Sequence, residues 1–233
     1  MIPLKDMTPR RSFPVVTLLI ILANVIVFAY QESLGRHAQE VFAMTYGLVP
    51  YKISLALQGR HYTLEQALVP LITCMFLHAG FLHIIGNMWF LWVFGGNVED
   101  RLTPVGYLFF YFVAGIGSGI AQTLFSWGSH LPCVGASGAI SGVLGAYIVF
   151  FPNSRILTLV PLFIIFFLWR IPAVIFIGLW FAMQFLSGLS SIGGAVTGGI
   201  AVWAHVGGFL IGVVISLLAR TARRSAPAPS HYG

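Results

Sequence analysis

The chain has 233 residues, of which 58% are hydrophobic and only 8% are charged, and its mean hydropathy is +0.91. A water-soluble domain carries roughly 25% charged residues. A chain of this composition therefore cannot cover its surface with polar groups and must face lipid. The net charge of +6 does not indicate nucleic-acid binding, because the basic residues cluster at the ends of apolar runs and form no stripe.

Apolar runs alternate with short polar connections along the chain. The first run, residues 15–30, follows a basic segment and is not followed by a small-residue cleavage site, so it predicts a retained span. Residues 31–66 are too long for a hairpin and predict a connection with short helices of its own. Further spans are predicted at residues 82–94, 105–125, 137–151, 173–189 and 198–218.

Two other stretches do not fit a membrane crossing. Residues 156–169 are apolar but number only fourteen and include Pro161, which favours an interfacial or re-entrant segment. The stretch from Ser190 to Thr197 is rich in small residues, and it fits either a plain connector or a lid.

The basic residues predict the orientation of the bundle. Six spans place both termini on one side, with nine Lys and Arg residues on that side against three on the other. Because cytoplasmic loops carry an excess of Lys and Arg, both termini are predicted to be cytoplasmic. The expected fold is an all-α polytopic membrane protein, with a cytoplasmic segment at 1–14, a six-helix domain at 15–219 and a basic, disordered tail at 220–233.

Four polar side chains fall at one depth of this predicted bundle. The second, fourth and sixth spans all start at the outer face, and at ~1.5 Å per residue they place the four groups within roughly 10 Å of it. These groups are His83, Asn87, Ser137 and His205. Small residues, among them Gly138, flank Ser137 and His205, so the helices that carry them can approach closely.

These residue types suit acyl-transfer chemistry. A serine hydroxyl is a weak nucleophile until a base takes its proton, and His205 can do so near neutral pH. No Asp or Glu lies in a predicted span, so the sequence offers a Ser137–His205 dyad and no triad. The Ser137 backbone N–H, the His83 imidazole and the Asn87 amide are candidate donors to an oxyanion. His78, expected at the mouth of the site, either donates or orients its neighbour.

Other interpretations stay open. A single serine in a span usually packs or bonds back to a carbonyl, whereas a single intramembrane histidine is more often functional. His83 and His205 could ligate a haem. A zinc site from these two and His78 is conceivable, although the layer has no carboxylate base. We expect no cofactor and no metal.

At these residues the chain resembles the rhomboid family of intramembrane serine proteases. The resemblance extends from about residue 70 to residue 218. It rests on His78-x4-His83-x3-Asn87, Gly135-Ala136-Ser137-Gly138 and Ala204-His205-x-Gly207-Gly208, in that order. It implies a six-helix core with Ser137 as the nucleophile, His205 as the general base, His83 and Asn87 as oxyanion partners, and supporting roles for His78, Gly135 and Gly138.

The resemblance also implies what the protein acts on. It implies hydrolysis of peptide bonds in or next to the transmembrane segments of single-span or polytopic membrane proteins, within the lipid bilayer of a bacterial inner membrane. A catalytically silent, rhomboid-like chaperone or adaptor for membrane helices is the alternative. Some members carry an aromatic ring one turn after the nucleophile, where this chain has Ser141, so the group that positions His205 is left open.

Overall fold

Helices make up most of the structure. The computed structural model describes residues 1–162, 165–192 and 201–225. The helices are α1 (Val15–Ser33), α2 (Arg36–Tyr46), α3 (Pro50–Leu57), α4 (Leu64–Leu68), α5 (Pro70–Thr73), α6 (Phe81–Phe90), α7 (Gly96–Leu102), α8 (Pro104–Phe125), α9 (Ser137–Phe150), α10 (Ala173–Ile192) and α11 (Val202–Ser225). A 3-10 turn at Cys74–Phe76 precedes α6, and a turn of π-helix at Leu91–Gly95 joins α6 to α7.

Four helical stretches are long and apolar enough to cross a membrane. They are Val15–Ser33, Phe81–Leu102, Pro104–Phe125 and Val202–Thr221. The protein is therefore a multi-pass membrane protein. The short helices predicted for residues 31–66 are present as α2, α3 and α4.

Helix α9 is the core of the bundle. It has fourteen residues, and eleven of them are buried. At 1.5 Å per residue it is about 21 Å long, shorter than the ~30 Å of a hydrocarbon layer. Other helices, mainly α8 and α11, surround it.

Glycines set the distance between α9 and α11. A Cβ added at Gly145 would collide with the backbone of α11, and one added at Gly208 or Gly212 would collide with the backbone of α9. The two helices therefore meet backbone to backbone, as close packing through small residues requires in a membrane.

The helix that begins at Phe81 is longer than predicted. We expected residues 95–101 to form a turn, and this prediction is wrong, because the chain stays helical to Leu102. Each glycine weakens a helix by about 1 kcal/mol. Gly95 and Gly96 nevertheless stay helical, packed against α1 and the segment before it, where a side chain would clash. Tertiary packing here overrides local propensity.

Glu99 joins this helix to the start of α1. Its carboxylate accepts the backbone N–H groups of Val16 at 2.9 Å and Thr17 at 2.8 Å, and the Thr17 hydroxyl at 2.7 Å. The first amides of a helix lack intrahelical acceptors and carry partial positive charge. A buried carboxylate on α7 therefore caps α1 from outside its own segment.

A three-stranded antiparallel sheet departs from the expected all-α class. It has the order β1 (Ile2–Asp6), β2 (Arg155–Leu162) and β3 (Ile165–Pro172). The segment 156–169 was expected to be interfacial or re-entrant, but it contributes most of β2 and β3. The predicted N-terminal segment 1–14 supplies the third strand, β1. A continuous apolar run does not by itself distinguish strand from helix, so the fold is mostly helical rather than all-α.

The last helix continues past its predicted end. α11 runs to Ser225, so residues 220–225 are helical and the expected disordered tail at 220–233 begins too early. Arg220 helps to stabilise this end of α11, because its Nη1 donates to the Val149 carbonyl at 3.3 Å. Residues 226–233 lie outside the described residues, as do residues 193–200, which hold most of the candidate lid.

Candidate active site

Ser137 and His205 lie next to each other, on different helices. Ser137 is the first residue of α9 and His205 lies in the first turn of α11. The Nε2 atom of His205 is 2.7 Å from the Oγ atom of Ser137. His205 is buried and Ser137 is half-buried, so the pair is screened from bulk solvent while the hydroxyl keeps one open side.

Polar and aromatic contacts from α8 hold the start of α11 in place. The backbone N–H of Ala204 donates to Oε1 of Gln122 at 3.0 Å, and the rings of Trp203 and Phe125 stack with centroids 4.0 Å apart. An amide in the first turn of a helix needs an acceptor from outside the helix. The Gln122 side chain therefore helps to fix the position of His205 along the axis of the bundle.

Gly138 allows α8 and α9 to meet beside Ser137. A Cβ at this position would collide with the side chain of Ser118 and would also contact Ala204 of α11. Ser118 itself donates its hydroxyl to the Gly115 carbonyl at 2.7 Å. A larger residue at 138 would thus push α9, and Ser137 with it, away from α8.

His83 and Gly135 are in close contact. Gly135 has φ = +128°, a conformation that L-residues avoid, and a Cβ there would lie 2.8 Å from Nε2 of His83. The Ala79 backbone N–H donates to Nδ1 of His83 at 3.3 Å. Because Nδ1 accepts, Nε2 of a neutral ring carries the proton, and a donor faces the loop before Ser137.

Asn87 supplies a second donor. Its Nδ2 atom is buried and has no hydrogen-bond acceptor among the described residues. An unpaired buried donor costs about 1–3 kcal/mol, a cost that a bound ligand with a carbonyl or oxyanion would remove. Asn87 lies one turn after His83 on α6, so the two donors are adjacent.

A cavity of about 670 Å³ connects these groups. It opens among α6, α9, α10 and α11, and its size is in the range of ligand-binding cavities. Its lining includes all four polar groups together with Leu82, Phe90, Ile140, Trp180 and Gln184. The four predicted side chains therefore share one cavity.

His78 is not where the sequence placed it. It was expected at the mouth of the site, but its side chain is fully buried and does not line the cavity. Gln31 holds it there by donating Nε2 to the His78 carbonyl at 2.6 Å. The rings of His78 and His83 meet edge to face with centroids 5.1 Å apart. His78 thus packs behind His83.

The three histidines do not assemble into a metal site. Within residues 1–162, 165–192 and 201–225, no group of three or more His, Cys, Asp or Glu side chains is arranged to hold a metal ion. The zinc site from His78, His83 and His205 is thus not formed.

Cys133, in the loop that leads to α9, is not an activated thiol. It is a free thiol, and burial raises its pKa to about 12. The thiol therefore stays protonated near neutral pH and lacks the thiolate that attack requires.

Two residues on α10 were missed from the sequence. Oε1 of Gln184 is 2.7 Å from Nδ1 of His205, and the Trp180 ring lies 5.9 Å from the His205 ring, centroid to centroid. Ser141, at the position where an aromatic was considered, donates its hydroxyl to the Ser137 carbonyl at 2.6 Å. One signal was available: Gln184 is a polar residue in an apolar span, one turn after Trp180.

The chain matches known proteins over most of its length. Residues 65–222 match the rhomboid domain family model. The chain is 29% identical over 169 residues to "RHOMBOID-like protein 6, mitochondrial" of Arabidopsis thaliana, covering 70% of this chain and 48% of that protein. It is 32% identical over 155 residues to "Rhomboid protein 1, mitochondrial" of Saccharomyces cerevisiae, covering 63% and 40%.

A bacterial relative gives the longest of these alignments. The chain is 31% identical over 193 residues to "Rhomboid protease GluP" of Bacillus subtilis, a match that covers 82% of this chain and 35% of that protein. The chain spans between about a third and a half of the length of these three relatives.

Proposed function

The chain belongs to the rhomboid family, and from this premise we propose that it is an intramembrane serine endopeptidase with Ser137 as nucleophile and His205 as general base. The observation that carries the proposal is the 2.7 Å contact between Ser137 Oγ and His205 Nε2. It lies at a cavity among apolar helices. In such surroundings apolar side chains would stabilise the fold better than a hydroxyl–imidazole pair, so the pair points to a function.

The first half of the reaction uses the pair directly. As Ser137 Oγ attacks the scissile carbonyl carbon, its proton passes to His205 Nε2 and a tetrahedral oxyanion forms. The resulting imidazolium then gives that proton to the departing amine, the C–N bond breaks, and an acyl-enzyme ester remains on Ser137. In the second half, water attacks the ester carbonyl carbon as His205 Nε2 takes its proton. The imidazolium then returns that proton to Ser137 Oγ as the ester C–O bond breaks and the acid is released.

Three donors are proposed to stabilise the oxyanion. They are Nε2–H of His83, Nδ2–H of Asn87 and the backbone N–H of Ser137 at the start of α9. Removing one such donor from an oxyanion site typically costs about 100- to 1000-fold in kcat. Gly135 supports this arrangement because only a residue without a side chain leaves room for the His83 ring.

The substrates are proposed to be single-span or polytopic membrane proteins. The cavity is lined by Leu82 and Phe90 of α6 and by Trp180 of α10, so a transmembrane segment can enter between α6 and α10. A helical peptide hides its carbonyls in hydrogen bonds, and the segment must unwind before Ser137 can attack. Substrates with glycine or proline near the cleavage point are therefore preferred.

The six-span topology with both termini cytoplasmic belongs to the same proposal. β1 precedes α1 and pairs with β2, which follows α9. The two strands can meet only if an even number of crossings separates them, and α1, α6–α7, α8 and α9 provide four. With α10 and α11 this makes six spans. The charge bias then assigns the sheet side to the cytoplasm.

The bacterial inner membrane is the proposed location. The proposed segments are an N-terminal cytoplasmic segment at 1–14, a six-helix domain at 15–219 and a basic tail at 220–233, whose first residues continue α11. The relatives come from a plant, a yeast and a bacterium. Fractionation of the source cells, with detection of the chain in each membrane, tests the location.

Replacement of Ser137 by alanine tests the proposed function. We expect Ser137→Ala to abolish cleavage of a single-span substrate in proteoliposomes, by at least about 1000-fold, and to abolish labelling by a fluorophosphonate. Ser141→Ala is the matched control, one turn along the same helix, and should stay within about two-fold of the unaltered protein.

Two results would count against the endopeptidase. Unchanged cleavage by Ser137→Ala would remove Ser137 as nucleophile. Absence of both cleavage and labelling in the folded, unaltered protein would favour the catalytically silent helix-binding protein instead.

A further inference from the structure

Both ring nitrogens of His205 are engaged, and their partners lie on two different helices. Nε2 contacts Ser137 of α9, and Nδ1 contacts Oε1 of Gln184 of α10, each at 2.7 Å. His205 itself belongs to α11. The imidazole is thus the point at which three helices meet through hydrogen bonds.

The Gln184 contact selects one protonation form of the ring. An amide oxygen can only accept, so Nδ1 must carry the proton and Nε2 of the neutral ring must present its lone pair. That lone pair faces the Ser137 hydroxyl, as a general base requires. In the opposite tautomer Nε2–H would point at Ser137, and the ring could not take its proton.

We propose that Gln184 is a positioning residue for the reaction, which holds His205 in its productive tautomer and orientation. This inference rests on the proposed endopeptidase function. Gln184 neither gains nor loses a proton. It stabilises the imidazolium through its oxygen dipole, with less charge than a carboxylate would bring into the membrane.

The location of Gln184 makes this arrangement depend on α10. Helix α10 faces outward along much of its length, with Ile175, Leu179, Met183 and Leu186 between 49% and 64% exposed. The contact between α10 and α11 is far smaller than the contact between α9 and α11. If α10 swings outward to admit a substrate helix, Gln184 leaves His205, and the base is fully ordered only after α10 returns.

The test compares Gln184→Leu with Gln184→Glu. Leucine removes the acceptor, whereas glutamate keeps it and cannot donate when ionised. We expect Gln184→Leu to lower kcat about 10- to 100-fold without raising KM, because a misoriented base slows the chemical step and not substrate binding. Labelling by a fluorophosphonate should slow by a similar factor.

Gln184→Glu should retain most of the activity, and the acid limb of its pH–rate profile should move up by about one pH unit, because a carboxylate favours the imidazolium. A merely structural role predicts the reverse order, since leucine suits an apolar span and a buried carboxylate does not. Leu179→Ala, on the exposed face of the same helix, is the matched control and should leave both readouts unchanged.

Each outcome decides the inference. Full activity of Gln184→Leu, or Gln184→Glu below Gln184→Leu, overturns it. Should Gln184→Leu fail to fold, an unshifted acid limb in Gln184→Glu overturns it as well. Failure of the endopeptidase proposal is seen separately, since the unaltered protein would then show no Ser137-dependent cleavage or labelling at all.

Discussion

The two sides of His205 are built in different ways. Toward α9 the contact is backbone on backbone, because glycines such as Gly208 leave no room for a side chain. Toward α10 the contact is made by side chains: the rings of Phe181 and Phe209 stack with centroids 4.3 Å apart, and Gln184 reaches Nδ1. We call the backbone-packed side the fixed interface and the side-chain-packed side the adjustable interface.

The difference separates two requirements of the proposed reaction. The distance from nucleophile to base must not vary, since a misplacement of about 1 Å can cost 100-fold in rate. Access for a membrane helix, in contrast, needs a wall that moves. Backbone packing meets the first requirement, and a helix attached by side chains meets the second without separating Ser137 from His205.

The largest effect is expected where the fixed interface is broken. In Gly208→Ala the added Cβ strikes the Gly138 carbonyl on α9, so the two helices must separate. We expect kcat/KM to fall by about 100-fold or more, with a lower melting temperature. Gly178→Ala on α10, where an added Cβ meets nothing within 4 Å, is the control and should behave like the unaltered protein. Equal activities of the two variants would show that the interface is not fixed.

A smaller effect, on stability, is expected at the opposite end of the bundle. Glu99→Ala leaves the first amides of α1 without an acceptor in a buried place, which should lower the free energy of unfolding by about 2 kcal/mol. Asp100→Asn is the neighbouring control, because Asp100 also accepts from the backbone, at Arg11, but is only half-buried. It should cost under about 1 kcal/mol. Denaturant unfolding in detergent measures both, and similar losses would contradict the capping role.

The smallest effect is expected at the adjustable interface. Phe181→Ala removes the ring that stacks on Phe209, so α10 should be held less tightly against α11 and should move outward more readily. Since apparent affinity scales with the competent fraction, we expect KM for a single-span substrate to fall about two- to five-fold. Labelling by a small fluorophosphonate, which needs no opening, should not gain. The lipid-facing Leu186→Ala is the control, and a parallel gain in both assays would argue against selective opening.

Much of the site could be predicted because polar groups are costly in a membrane. Ser137, His205, His83 and Asn87 stand out in apolar runs, and helix rise alone brought them to one depth. Gln184 stands out in its apolar run in the same way. It was not predicted as a site residue, because the expected third member of a catalytic set is a carboxylate. His78 was misplaced because spacing along a helix says nothing about a residue that precedes the helix and is held by Gln31.

The errors in the fold have a common cause. The segment 156–169 and the turn predicted at 95–101 were judged from local composition, whereas both are determined by distant partners. The hairpin gains a third strand from the first residues of the chain, and Gly95 and Gly96 stay helical because α1 and the segment before it pack against them. Such long-range contacts leave no periodic pattern in a single sequence.

The pairing of β1 with β2 has a consequence for biosynthesis. Pro3 and Thr158 are partners in the sheet although they are about 150 residues apart. At a ribosomal rate of about 5–20 residues per second, the amino-terminal strand waits on the order of ten seconds for its partner to emerge. The sheet therefore forms only after α9 and β2 have been synthesised, so its hydrogen bonds report that the chain from β1 through α9 has been assembled.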